Sequence, residues 1–332
     1  MISFIRHLMI SMPNFVLSIT ALLGGLGTLA YAEFPDRPIT IVVPYPVGGA
    51  TDTLSRLAGT KMGEVLGTSF VVENRSGGSG MIGLNAVSHL PADGYTMVLG
   101  SVADIAIFTA ASPTAPSVNF MKDFSAVGGI AAAPHILVVP STLAAQNMEQ
   151  LISLLKKAPG KHNFASIGVG TLSHLEGNLL MQTTGVDIVH VPYRGGAQAL
   201  QELSTGNSSL MFLSGPNAML LLSSGRVRIL GAAADQRLAL LPSVPTFTES
   251  GIKGFSAPNR FGFFVLKSTP ASVVEKLSKA LSQALESNEL KTKLEGQGMI
   301  LQYANSADFN RSTTEDFLFF NDIVKKSKIR LE

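Results

Sequence analysis

Residues 44–52 read Pro-Tyr-Pro-Val-Gly-Gly-Ala-Thr-Asp, and their types and order suit the capture of an anion. A β-branched run (Ile39, Thr40, Ile41, Val42, Val43) leads in, and Leu54, Leu57, Ala58, Met62 and Leu66 leave at helical spacing. A turn from strand end to helix start leaves the first helical N–H groups without partners inside the helix, and the helix dipole favours negative charge there. Gly48 and Gly49 let a ligand approach the main chain with no Cβ in the way. Tyr45, Gly48, Gly49, Ala50, Thr51 and Asp52 are therefore candidates for one jaw of an anion clamp. The competing reading is an ordinary strand-to-helix turn.

A second jaw is spelled further along. Ser166, Gly168, Gly170 and Thr171 end one strand and open a helix that carries His174. Arg194, Gly195 and Gly196 end the next strand, and Ser214 and Gly215 end the one after. Each turn places small or hydroxyl residues where a ligand would sit. His174, one helical turn past Thr171, either donates to a ligand carboxylate or packs beneath the turn. His190, inside an apolar strand, reads as a core histidine. Arg194 either pairs with an acid across the lobe or meets the ligand.

These turns need a scaffold of alternating strands and helices. Strands read at 70–73, 95–99, 163–167, 188–193, 210–213, 227–233 and 261–266, with a further apolar run at 136–139. Helices read at 81–90, 148–157, 172–182, 197–204, 273–285 and 309–326, with a short one after the turn at 214–216; residues 111–118 read as surface loop. The alternation implies an α/β fold with mostly parallel sheets and ligands at the carboxyl ends of the strands. Two such blocks with a tail left over predict two doubly wound lobes, one from 33–134 plus 259–332 and one from 135–258, with the hinge crossed twice.

The totals exclude several classes. The chain has 332 residues, 46% hydrophobic and 14% charged, with a net charge of +2, so it offers no basic footprint for nucleic acid. It contains no cysteine, which removes disulfides, thiolate metal sites and a cysteine nucleophile. No histidine pair has metal-ligand spacing and no serine sits in a G-x-S-x-G elbow, so no metal, cofactor or catalytic group is expected. Arg6 and His7, an apolar segment at 15–31 and the small-x-small end Ala30-Tyr31-Ala32 read as a secretory leader cleaved after Ala32. The Gly78-Ser79-Gly80-Met81-Ile82-Gly83 run matches the dinucleotide fingerprint, with Asp104 at the spacing of the ribose acid. However, it follows the second strand rather than the first, and an exported protein is far from nicotinamide pools.

With these residues laid out, the chain resembles the Bug family, extracytoplasmic receptors of tripartite tricarboxylate transporters. The matching pieces are residues 44–52, Glu73-Asn74-Arg75 with its glycine loop and Ile82-Gly83, and Asp93-Gly94-Tyr95-Thr96. Ser166-x-Gly168-x-Gly170-Thr171-x-x-His174, His190-Val191-Pro192-Tyr193-Arg194-Gly195 and Leu241-Pro242-Ser243-Val244-Pro245-Thr246 complete the series. The resemblance implies a periplasmic binding protein of the second type, a monomer that closes on a small organic carboxylate and serves membrane transporter subunits. It implies a ligand held, partly through water, by residues 48–52, by Ser101, by residues 166–171 and by the turn at Ser214. The chain departs from the family at Val47, where proline is usual, at Ser243, where an acid is usual, and at Arg260 before Phe261. Leu213 stands where an acid commonly follows the Met-Phe pair, which points to a plain mono- or dicarboxylate rather than an amino acid. A ligand sensor for a membrane signalling partner and an exported cofactor-binding enzyme are the alternatives.

Overall fold

The computed structural model describes residues 33–112, 117–215, 222, 224–255, 259–296 and 298–327. The leader, residues 113–116 of the surface loop and the short helix after Pro216 lie outside the described residues. The described residues from Arg37 onward belong to one compact unit.

The first sheet begins with β1 (Ile39–Val43), β2 (Phe70–Asn74) and β3 (Thr96–Ser101), joined by helices α1 (Ala50–Leu66) and α2 (Met81–Ser88). α3 (Val102–Ala111) and the single turn α4 (Phe120–Asp123) lead to β4 (Phe124–Ala133). The second sheet holds β5 (His135–Pro140), β6 (Asn163–Ser166), β7 (Val189–Pro192), β8 (Leu210–Ser214) and β9 (Val227–Ala233), with α5 (Met148–Lys157), α6 (Leu172–Thr184) and α7 (Gly196–Ser204) between them. The chain then returns to the first sheet through β10 (Asn259–Leu266), α8 (Ala271–Leu285), α9 (Asn288–Glu295), β11 (Ile300–Ala304) and α10 (Ser306–Ser327). Strand order is β11-β4-β10-β3-β1-β2 in one sheet and β7-β6-β8-β5-β9 in the other. The chain passes between sheets at Pro134 and again between Ala233 and Asn259.

The expectation of mostly parallel sheets needs correction. β1 pairs parallel with β2 and β3, and β6 with β7 and β8, but β10 runs antiparallel to β3 and β4, and β5 antiparallel to β8 and β9. The crossing strands cause this, because each enters its sheet from the other one without a crossover helix.

Two elements had no usable sequence signal. β4 is built largely from Gly and Ala, so it lacks the β-branched run that marks a strand. Its small residues are required: a Cβ on Gly129 would lie 2.6 Å from the ring of Phe309, and one on Gly262 of β10 would lie 2.1 Å from it. α10 thereby lies close on these two strands. α3 is mostly apolar and largely buried, so it shows no clear amphipathic stripe. Ala103, Ala106, Ile107 and Ala111 of α3 pack with Leu172 and Leu175 of α6 and Phe320 and Val324 of α10. This three-helix core fixes where the start of α6 faces α3.

Gly177 sets how closely α6 lies on the second sheet, since a Cβ there would fall 2.1 Å from the Phe164 ring. Gly177→Val should destabilise the protein by about 3 kcal/mol or more in urea unfolding. Gly185→Ala meets only the φ of +70° at the end of α6 and should cost about 1 kcal/mol. Equal losses would contradict this packing account.

Candidate functional site

The turn between β1 and α1 is held open from below. Gly48 adopts φ +81°, and Gly49 caps α1 in extended geometry with no side-chain cap. The acid of the first helical turn, Asp52, does not fill that place. Its carboxylate accepts from Gly48 N–H at 3.0 Å and from Asn74 Nδ2 at 3.0 Å, and pairs with Arg56 at 2.9 Å. Burial pushes Asp52 upward, but Arg56, Gly48 and Asn74 together hold it below the ordinary carboxylate range. Asp52 therefore stays ionised and ties the turn to the end of β2. The N–H groups of Ala50 and Thr51 find no acceptor among the described residues, and neither does the Thr51 hydroxyl.

The facing turn, between β6 and α6, has the opposite character. Ser166 Oγ meets His190 Nε2 at 2.7 Å and accepts from Gly168 N–H, and Thr171 Oγ1 donates to Gly168 O at 2.7 Å. Gly170 N–H donates to His174 Nδ1 at 3.2 Å, so this histidine does pack beneath the turn. His174, His190 and Phe164 stack, with centroids 4.1 Å and 4.8 Å apart along the series. The first N–H of α6, on Leu172, is claimed by Asp104 of α3 at 2.8 Å.

Asp104 belongs to a buried polar floor. Its second oxygen accepts from Ser101 Oγ at 2.7 Å, and Ser101 in turn accepts from Asn259 Nδ2 at 2.8 Å. Beside it, His135 Nδ1 lies 2.6 Å from Glu176 Oε2, both side chains being buried. Burial raises Asp104 and Glu176 more than their partners lower them. Burial works to lower His135, and Glu176 with Asp104 outweighs it, so His135 is raised above the ordinary imidazole range. The Tyr45 hydroxyl is buried beside Asp104 and Ser101 without meeting hydrogen-bond geometry to either.

These surfaces enclose one cleft of about 1330 Å³. Tyr45, Gly49, Ala50, Thr51, Ser101, Gly168, Thr171, His174 and Ser214 line it, so the turns after Tyr45 and after Ile167 share a cavity. Gly48, Asp52, Ser166 and Gly170 do not line it; they sit behind the turns and shape them. Across its mouth, Ser79 Oγ donates to Val169 O at 2.6 Å, and a Cβ on Gly195 would lie 2.8 Å from Pro46. His190 also lines the cleft, against the expectation of a core residue, because the end of β7 opens onto it. Arg194 lines it too and has no ion-pair partner among the described residues.

The sequence reading missed Asp104, His135 and Asn259 as cleft residues. The signal for Asp104 was present as one acid inside an otherwise apolar helix, but it was weighed only as a ribose partner. The glycine run it would have served has another use: a Cβ on Gly83 would lie 2.7 Å from Pro44, so Gly83 lets α2 pack under the β1 turn.

Residues 54–329 match the model of the tripartite tricarboxylate transporter family receptor. The chain belongs to that family. Among its relatives, BugT of Bordetella pertussis is 30% identical over 285 residues, covering 85% of this chain and 87% of BugT. The Rpa4515 protein of R. palustris, solved with adipate, superposes with a TM-score of 0.86 at 31% identity, covering 90% of this chain and 99% of that one. MatC of Rhodopseudomonas palustris, solved with malate, gives a TM-score of 0.82 at 30% identity, covering 88% and 100%. This tripartite tricarboxylate receptor is thus similar to proteins that hold small carboxylates. No described helix is long and apolar enough to cross a membrane.

Burial holds His174 down from the ordinary 6.5 to about 4, and burial with the neighbouring His174 does the same to His190. Between those values the unfolded chain takes up protons that the native receptor does not, so stability falls as pH drops through this window. The melting temperature should fall more steeply from about pH 7 to about pH 5 in the natural protein than in H174Q/H190Q. Equal slopes would show that the stacked pair is not held neutral.

Proposed function

We propose that this chain is an extracytoplasmic solute-binding receptor that captures a small organic carboxylate between two lobes, 33–134 plus 259–332 and 135–258, and delivers it to a tripartite tricarboxylate-type membrane transporter. The observation that carries this reading is the start of α1, where the Ala50 and Thr51 N–H groups and the Thr51 hydroxyl line a cleft and have no acceptor among the described residues. Preorganised donors at a helix start bind a carboxylate without bulk positive charge. Gly49, Ala50, Thr51, Tyr45 and Ser214 contact the solute; Ser101, Gly168, Thr171 and His174 form the surrounding wall. Gly48, Asp52, Ser166 and Gly170 act through the shape of the two turns. Each lobe contributes one wall, so a monomer suffices, and closure of the lobes excludes water from the bound acid. The chain works in the periplasm after its leader is removed at Ala32, as a receptor rather than an enzyme. The carboxylates held by its relatives Rpa4515 and MatC support this choice of solute.

Two substitutions test the seat for the carboxylate. Proline fits the first position of α1 because Gly49 already has φ −77° and ψ 173°, so Ala50→Pro removes one donor and keeps the helix. Thr51→Val removes the hydroxyl at nearly constant shape. Each should weaken the best-bound acid of a four- to six-carbon panel by roughly tenfold or more in titration calorimetry, with an unchanged melting temperature of the free protein. Undiminished affinity in both would put the solute elsewhere.

A further inference from the structure

Asp104 is the most deeply placed charge in the cleft wall, 3% exposed and yet lining the cavity. A carboxylate offers up to about four acceptor positions. The Leu172 N–H fills one on one oxygen and the Ser101 hydroxyl one on the other, and the Asn259 amide adds a weaker donor beside them. Capping α6 accounts for only one of these bonds, and a Ser or Asn side chain would cap without burying a charge. The base beside it, His135, is already held by Glu176 at 2.6 Å. The floor therefore buries two acids with one base, and Arg194 is the only Lys or Arg among the lining residues, standing exposed at the mouth.

A second group at the same place lacks a partner among the described residues. Tyr45 is 9% exposed, lines the cleft, and its hydroxyl beside Asp104 makes no hydrogen bond. Buried polar atoms are nearly always satisfied, so the unpaired Tyr45 hydroxyl beside a carboxylate with spare acceptor capacity marks a position that a bound molecule completes. A plain carboxylate seated at Ala50 and Thr51 would leave the Tyr45 hydroxyl and the spare acceptor positions of Asp104 without a partner.

We infer that Asp104 determines specificity by reading a hydrogen-bond donor, a hydroxyl or an ammonium group, that the solute carries in addition to its carboxylate. The acid absent at Leu213 is supplied from α3 instead, so the argument from Leu213 against a cationic or donor-bearing solute does not hold for this cleft. The inference rests on the receptor reading above, and it narrows the solute from organic carboxylates to hydroxy or amino acids.

The test uses acids that differ by one group. Succinate, malate and aspartate share a four-carbon skeleton, and adipate and 2-aminoadipate share a six-carbon one. Titration calorimetry on the mature chain should show, in whichever series binds, the donor-bearing acid bound at least about tenfold more tightly than the plain one. In D104N that preference should shrink to less than about threefold. Aspartate ahead of malate identifies an ammonium, and malate ahead of aspartate a hydroxyl. Equal affinity for plain and donor-bearing acids in the natural protein overturns the inference and leaves the receptor reading standing, as does a preference that survives in D104N. If no acid of either series binds, the receptor reading of this cleft falls and the inference falls with it. Should D104N fail to fold, the comparison in the natural protein still decides.

Discussion

A helix cannot pair its own first N–H groups, and in this protein the starts of α1 and α6, two of those around the cleft, have opposite outcomes. At α6 the chain supplies its own anion: Asp104 reaches across from α3 to the Leu172 N–H. At α1 the acid placed to do the same, Asp52, is drawn away by Arg56, Asn74 and the Gly48 N–H. One start is therefore closed and the other is kept open by a bond network behind it. The asymmetry leaves unpaired donors on the α1 side of the cleft and a self-capped helix on the side opposite.

The closed start also has an architectural role. Asp104 and the three-helix core around Leu172, Leu175, Ala103 and Phe320 hold the two sheets together beneath the cleft. The mouth is bridged lightly, by the Ser79 hydroxyl on Val169 O and by Pro46 against Gly195. A buried, apolar joint with weak contacts at the rim is the arrangement expected of two lobes that part and close about a hinge. The polar floor lies between joint and mouth, where desolvation makes every unpaired group count most.

Much of this was legible in the sequence because local chemistry wrote it. Strand-glycine-helix turns announced residues 44–52 and 166–174, and the structure brings both to one cavity. The helix at Met148–Lys157 was readable from its apolar stripe, and Asn147 caps it as that side chain should. What could not be read was set by tertiary context. β4 hides because close packing of Phe309 demands Gly and Ala where a strand signal would stand, and α3 hides because it is mostly apolar and largely buried. Asp104 and His135 lie 31 positions apart with no motif between them, and only the crossing at Pro134 joins them. Asp52 looked like a ligand group by position, and the partners that turn it away, Arg56 and Asn74, belong to a helix face and the end of another strand.

The open start of α1 is the claim on which the rest stands, and amide resonances of ¹⁵N-labelled protein report on it directly. On titration with an acid that raises the melting temperature, the Ala50 and Thr51 amide protons should move downfield and saturate with the binding curve, while Leu172, already bonded to Asp104, should move little. A saturable binder that leaves Ala50 and Thr51 in place and shifts Leu172 instead would contradict the account.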